Sequence, residues 1–237
     1  MEASNPSPAP TPGNPPSAQA EGFDLDPVEI RVLGVLIEKA FVTPDAYPLS
    51  INAIVTGSNQ LTAREPVMAI SEGEAQAAID SLMARKLVSR RDQAGARVPK
   101  YEHLVRVRHS LPPAEQAVLA TLMLRGAQTA GEIRQRCERL HRFDDIAAVD
   151  AVLEHLAEKF PPMVATLPRA PGTKEVRHAH LLGGAALFEE MAEAQAGGSG
   201  GPAGRGRIAE LEDELARLRS EVDTLRRDFD TFRQQFD

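Results

Sequence analysis

The chain has 237 residues, 42% of them apolar, and a formal net charge of −7, which suits two small domains plus tails. The single cysteine, Cys137, excludes an intramolecular disulfide and favours a reducing, cytoplasmic setting. No apolar run approaches the ~18–20 residues that cross a bilayer, and the N-terminus lacks the basic and apolar segments of a secretory signal. We therefore expect no membrane partner.

The negative charge is concentrated in the two tails. Residues 24–110 hold 11 Lys/Arg and 11 Asp/Glu, and residues 111–184 hold 9 of each. Residues 1–23 are rich in Pro, Ala, Ser and Asn and predict a disordered tail, because this composition buries too little apolar surface to fold. The neutral centre therefore leaves nucleic-acid binding open, depending on how its basic residues cluster.

A repeated pattern, Pro-x-Glu-x-x-Val-Leu-x-x-Leu, begins at Pro27 and again at Pro113, 86 positions later. Each copy predicts the start of a helix, because proline is tolerated in a first turn, glutamate suits the positive helix end and the apolar spacing is helical. The elements predicted after each copy also follow the same order. The repeat therefore indicates a duplicated domain.

The first domain, 24–110, is predicted to contain three helices and two strands. The helices are expected at 27–41, near 50–56 and after a Ser71-x-x-Glu74 capping box. The strands are expected at Val88–Arg91 and Lys100–Val105, around a turn at 92–97.

The second domain, 111–184, is predicted to repeat this plan. Its helices are expected at 113–125, from a Thr129-x-x-Glu132 capping box to about Arg139, and at 146–160. Its strands are expected at Met163–Leu167 and Val176–Leu182, around a basic loop at 169–174. The fold class is therefore mainly α with small β wings (α+β), as two tandem winged-helix domains followed by a coiled-coil helix.

The C-terminal segment, 207–237, carries a heptad seam after a helix end and Gly-rich linker at 185–206. The seam residues expected to hold a dimer are Ile208, Leu211, Leu215, Leu218, Val222, Leu225, Phe229 and Phe232. The facing pairs of a parallel homodimer would be Arg207–Glu212, Glu214–Arg219, Glu221–Arg226 and Asp228–Arg233, all attractive. An antiparallel pair would bring like charges together. An amphipathic helix folded back on its own domain is the remaining alternative.

Sequence motifs for catalysis are missing. No nucleophile elbow, P-loop, dinucleotide fingerprint or paired-cysteine zinc pattern occurs. His178-x-His180 and the Cys137/His141 pair could each begin a metal site, but neither has further ligands nearby in the sequence. We therefore expect a non-enzymatic protein with no metal and no cofactor.

Basic residues cluster around the predicted wings and the second helix of the second domain. The candidates for phosphate contacts with double-stranded DNA are Arg90, Arg91, Arg97, Lys100, Arg134, Arg136, Arg169 and Lys174, with Asn59, Gln60 and Arg64 for base or backbone contacts. The alternative is that these basic residues bind no DNA and form a solvent-exposed face whose charge is balanced by nearby Asp and Glu side chains. The third helices, which usually enter the major groove, are acidic instead. The alternative function is therefore an interaction scaffold whose winged helices dock protein partners.

Four segments resemble the YceH-like family of bacterial proteins. They are Leu33-Gly34-Val35-Leu36-Ile37-Glu38-Lys39, the stretch from Thr43-Pro44-Asp45 to Ser50, Leu124-Arg125-Gly126-x-Gln128-Thr129 continuing to Arg134, and Leu167-Pro168-Arg169-x-Pro171-Gly172. The resemblance implies two tandem winged helices and carries no settled activity. In the loop 57–64 the family pattern is matched at Asn59, Gln60 and Arg64, while Leu61 replaces a lysine.

Overall fold

The computed structural model describes residues 24–91, 98–169, 173, 175–197 and 217. The first repeat contains α1 (Pro27–Val42), a 3₁₀ turn (Pro44–Ala46), β1 (Leu49–Ser50), α2 (Ile51–Ser58), α3 (Glu72–Ala84), β2 (Val88–Arg91), β3 (Lys100–His103) and α4 (Val105–His109). The second contains α5 (Pro113–Arg125), α6 (Ala130–Arg136), α7 (Ile146–Glu158), β4 (Val164–Thr166) and β5 (His178–His180), followed by α8 (Gly184–Gly197). The prediction of a mainly helical α+β chain is confirmed.

Local capping signals set several helix starts. Ser71 accepts a hydrogen bond from the Glu74 backbone N–H, and the Glu74 carboxylate accepts one from the Ser71 N–H at 2.8 Å. Thr129 and Glu132 form the same reciprocal pair at the start of α6. Both predicted capping boxes are thereby confirmed, each stabilising its helix by roughly 0.5–2 kcal/mol.

Three of the four predicted strands are shorter than expected, whereas β2 has the predicted bounds. β3 pairs with β1 and β2 in an antiparallel sheet of order β1-β3-β2, and β4 pairs with β5. The strand predicted over Lys100–Val105 is wrong at its end: β3 ends at His103, because α4 begins at the buried Val105. β1 was missed because two residues are too few to establish an alternating pattern.

The helix predicted from 129 to about 139 ends at Arg136. Its C-cap, Cys137, is completely buried, and its carbonyl accepts hydrogen bonds from the Leu140 and His141 N–H groups. The chain therefore turns at Cys137, and the basic residue Arg139 lies in this turn and not on the helix.

The two repeats share one continuous apolar core. Val32–Ile37 of α1 and Ala117–Leu124 of α5 are buried around almost the whole helix circumference. The two helices come close at Gly34, where an added Cβ would lie 3.1 Å from Leu124 and 3.2 Å from Met123. The described residues of 24–169 and 175–192 form one compact unit, whereas Thr173, 193–197 and Arg217 belong to a second.

Backbone hydrogen bonds also join the repeats. The Leu25 N–H donates to the Leu182 carbonyl at 2.9 Å, and the Glu65 N–H donates to the Leu124 carbonyl at 2.8 Å. Because residues this far apart in sequence meet inside one core, we expect the two repeats to unfold together.

The half-buried His103 and the buried His180 predict a loss of stability in mild acid. Burial lowers the pKa of His103 and of His180 to about 4, whereas an unfolded histidine titrates near 6.5. Between these values the unfolded chain binds protons that the folded chain does not. The free energy of unfolding should therefore fall by about 1.4 kcal/mol per histidine for each pH unit below about 6.5.

Urea unfolding at several pH values between about 6.5 and 5 measures this effect. A variant with His103→Gln should reduce this slope by up to about 1.4 kcal/mol per pH unit, while His109 and His178, whose pKa values burial also lowers, keep part of it. A stability that stays flat across this interval would contradict the assignment.

Candidate nucleic-acid interface

The end of the β2–β3 pair next to residues 92–97 carries three of the predicted contact residues, Arg90, Arg91 and Lys100, here named the β2–β3 cluster. Arg90 and Arg91 are exposed, and the antiparallel register sets Arg91 directly opposite Lys100. Like charges on facing positions repel each other. Glu102 offsets this in part, because the Arg91 Nε lies 2.7 Å from its Oε1. Arg91 is therefore an exposed basic residue whose charge Glu102 balances in part.

The predicted contacts in the loop 59–64 are placed differently. Asn59 uses its side-chain amide to bind the backbone of Ile70, accepting from its N–H at 2.7 Å and donating to its carbonyl at 2.8 Å. The Arg64 guanidinium is buried; it holds Glu38 with two hydrogen bonds, of 3.1 and 2.6 Å, and donates to the carbonyls of Gly57 and Ala63. Arg64 therefore lies inside the fold, with no guanidinium edge at the surface for a base or a phosphate.

The basic residues of α6 occupy both structural and open positions. Arg134 is exposed and also donates to the Asp144 carbonyl at 2.8 Å, which ties α6 to the start of α7. Arg136 is half-buried, with its Nη2 4.0 Å from the Glu132 carboxylate. Glu132 also binds Arg177 at 3.0 Å. Arg136 is thus only weakly neutralised.

The remaining predicted residues are described only in part. Arg169 is exposed, whereas Arg97 and Lys174 lie outside the described residues. The eight residues of the predicted dimer seam also lie outside them. The dimer therefore stays a prediction.

Three basic residues outside the predicted set meet Arg136 and Gln60 around a cavity of about 460 Å³: Lys39, Arg125 and Arg139. Lys39 near the end of α1 and Arg125 at the end of α5 are equivalent positions of the two repeats, 86 residues apart. This equivalence is the signal that could have found them. The equivalence predicts a shared site only if α1 and α5 pack together, which the sequence does not indicate.

The third helix of each repeat exposes carboxylates. On α3 these are Glu72, Glu74 and Asp80, and on α7 they are Asp150, Glu154 and Glu158. His178 is half-buried and His180 is buried. Within the ranges that the structure describes, no group of three or more His, Cys, Asp or Glu side chains could hold a metal ion.

Residues 25–173 match the family described as "Protein of unknown function, DUF480". The chain belongs to the DUF480 family. A UPF0502 protein of Azoarcus sp. (strain BH72) is 75% identical over 200 residues, covering 84% of this chain and 88% of that relative. A UPF0502 protein of Geobacter sulfurreducens is 51% identical over 160 residues, covering 68% and 73%.

This membership confirms the resemblance to an uncharacterised bacterial family that the motifs indicated. The names of these DUF480 relatives state no enzymatic activity. Among the described helices of this DUF480 chain, none is long and apolar enough to cross a membrane.

Proposed function

We propose that this protein is a non-enzymatic, transcription-regulator-like DNA-binding protein that works as a dimer. Each repeat has three helices followed by a pair of antiparallel strands. This order is the one that a winged helix has, and two such modules in tandem suit binding along a duplex.

The observation that supports DNA binding best is the β2–β3 cluster. Arg91 and Lys100 are held opposite each other by the strand register, although their charges repel. A phosphate between them would relieve this repulsion and accept charge-assisted hydrogen bonds from both. The strands thus set two cations opposite each other, where a phosphate would compete with Glu102 for Arg91.

The acidic third helices bear on how DNA would be held. Phosphates repel the exposed carboxylates of α3 and α7, so entry of these helices into the major groove is unfavourable. Binding through backbone phosphates from the strands and from α6 avoids this repulsion and reads little sequence directly. A parallel coiled coil at 207–237 would strengthen such weak binding by joining two copies.

Replacing Arg90 and Arg91 by alanine should weaken DNA binding and flatten its salt dependence. If both residues contact phosphates, the slope of the logarithm of the DNA-binding constant against log salt should become less negative by roughly 2. Fluorescence anisotropy with a random-sequence duplex, titrated at low and at physiological salt, measures both quantities. The control is Arg205→Ala with Arg227→Ala, which removes the same charge from the C-terminal segment.

An unchanged affinity and salt slope in the Arg90/Arg91 variant would refute these contacts. Substituting Leu211 and Leu218 by lysine tests the dimer in the same assay, since the loss of avidity should weaken binding without changing the contacts of one copy.

A protein-docking scaffold is the second candidate function. The exposed acidic faces of α3 and α7 favour it, because they suit a basic protein surface better than DNA. Wild-type protein that fails to bind DNA even at low salt, together with recovery of one stoichiometric partner after nuclease treatment, would favour the scaffold over the regulator.

A further inference from the structure

The cavity where the two repeats meet is lined by α1, the loop 60–63, α5, α6 and the turn after α6. Its volume of about 460 Å³ lies within the range of small-molecule sites, roughly 300–1,000 Å³. The basic residues on its wall are Lys39, Arg125, Arg136 and Arg139. Each repeat therefore contributes cations to one concave site.

The only carboxylate among the residues lining this cavity is already neutralised. Glu38 is held by the buried Arg64 through two hydrogen bonds and lies 3.3 Å from the Lys39 Nζ. Over the described ranges, no ion pair involves Arg125 or Arg139. The cavity therefore holds more positive charge than the protein balances there.

The nearby arginines disfavour the charged form of Arg125. Its pKa is lowered, first by burial and then by the nearby charge of Arg136. An arginine keeps its charge at neutral pH nonetheless. A bound anion would replace this repulsion with attraction, and guanidinium groups match the oxygens of a phosphate well.

Apolar side chains form the rest of the wall. Leu124 and Leu140 line the cavity, and Leu61 stands at it with 81% of its surface exposed. An exposed leucine beside several cations suits a ligand with an apolar body and an anionic group. A continuous DNA backbone, charged along its length, gains nothing from these leucines.

We infer that the cavity between the repeats binds a small organic phosphate, with Arg125, Arg136 and Arg139 around the phosphate and the leucines against the apolar part. This site shares Arg136 and Gln60 with the predicted DNA contacts, whereas Arg90 and Arg91 of the β2–β3 cluster do not line it. Because Lys39 and Arg125 come from different repeats, the ligand would also stabilise their packing.

Phenyl phosphate is a suitable probe, because it joins a phosphate to an apolar ring. Isothermal titration of the full chain should give one site per chain with a Kd below about 1 mM, with inorganic phosphate binding more weakly. Arg125→Ala should weaken phenyl phosphate binding at least about tenfold, whereas Arg90→Ala with Arg91→Ala should leave it unchanged. Leu61→Glu provides a second test at an exposed position if the Arg125 variant does not fold.

Three outcomes would overturn the inference. They are no heat from either anion up to about 10 mM, binding that survives both Arg125→Ala and Leu61→Glu, and displacement of phenyl phosphate by a short DNA duplex in wild type and in the Arg90/Arg91 variant alike. The last outcome would make the cavity a DNA contact. Loss of DNA binding in the Arg90/Arg91 variant with intact phenyl phosphate binding would support both sites separately.

Discussion

Replacing Arg64 by methionine should lower the free energy of unfolding by up to about 3–5 kcal/mol, because it leaves a mostly buried carboxylate with Lys39, at 3.3 Å, as its remaining described ion-pair partner. The side chain of Glu38 is only 15% exposed, and that of Arg64 is 0% exposed. Burial by itself would raise the pKa of Glu38, but the hydrogen bonds and charge of Arg64, with a smaller contribution from Lys39, outweigh it and hold this pKa below its ordinary value. Urea unfolding at neutral pH measures the loss.

The matched control is the double variant with Arg64→Met and Glu38→Gln. Removing the stranded charge should restore part of the stability, and the double-mutant cycle gives the coupling between the two residues. A loss of less than about 1 kcal/mol in the single variant would instead place the pair among ordinary surface ion pairs.

Leu36→Ala and Leu122→Ala should each destabilise both repeats. The two leucines occupy equivalent positions of α1 and α5, and both are completely buried in the continuous core. Truncating a buried leucine to alanine costs about 2–5 kcal/mol, depending on how far the cavity collapses. Since the core is shared, the loss should appear in the whole compact unit and not in one repeat.

Hydrogen exchange followed by residue measures this distribution. The slowest amides of α1, α3, α5 and α7 should lose protection by the same amount in either variant. If Leu36→Ala accelerated exchange only in α1–α3 and Leu122→Ala only in α5–α7, the repeats would be independent units and the shared-core account would fail.

Helix positions were predictable because they depend on local physics. Pro27 and Pro113 each begin a helix, and the capping boxes at Ser71 and Thr129 form where their spacing indicated. The strand Val88–Arg91 was also placed correctly. The ends of β3 and α6 were not, because they depend on Val105 and Cys137 entering the core, which local periodicity does not encode.

The candidate sites were only partly predictable. Arg90 and Arg91 lie at the two exposed positions of β2. Arg64 and Asn59 were proposed as ligand contacts because they are polar residues in a loop, yet both are used to hold that loop to the fold. Lys39 and Arg125 were not proposed, since nothing in the sequence near either residue marks a cavity.

The sequence by itself determined the duplicated order of helices and strands, since capping, turn residues and apolar spacing act over a few positions. Only the tertiary structure decided that α1 and α5 pack together. The apolar runs from Val32 to Ile37 and from Ala117 to Leu124 signal burial on all sides but do not name a partner. That packing brings Lys39 and Arg125 to one cavity, while the Arg64–Glu38 pair depends on the fold of the first repeat, because each pair joins residues far apart in the chain.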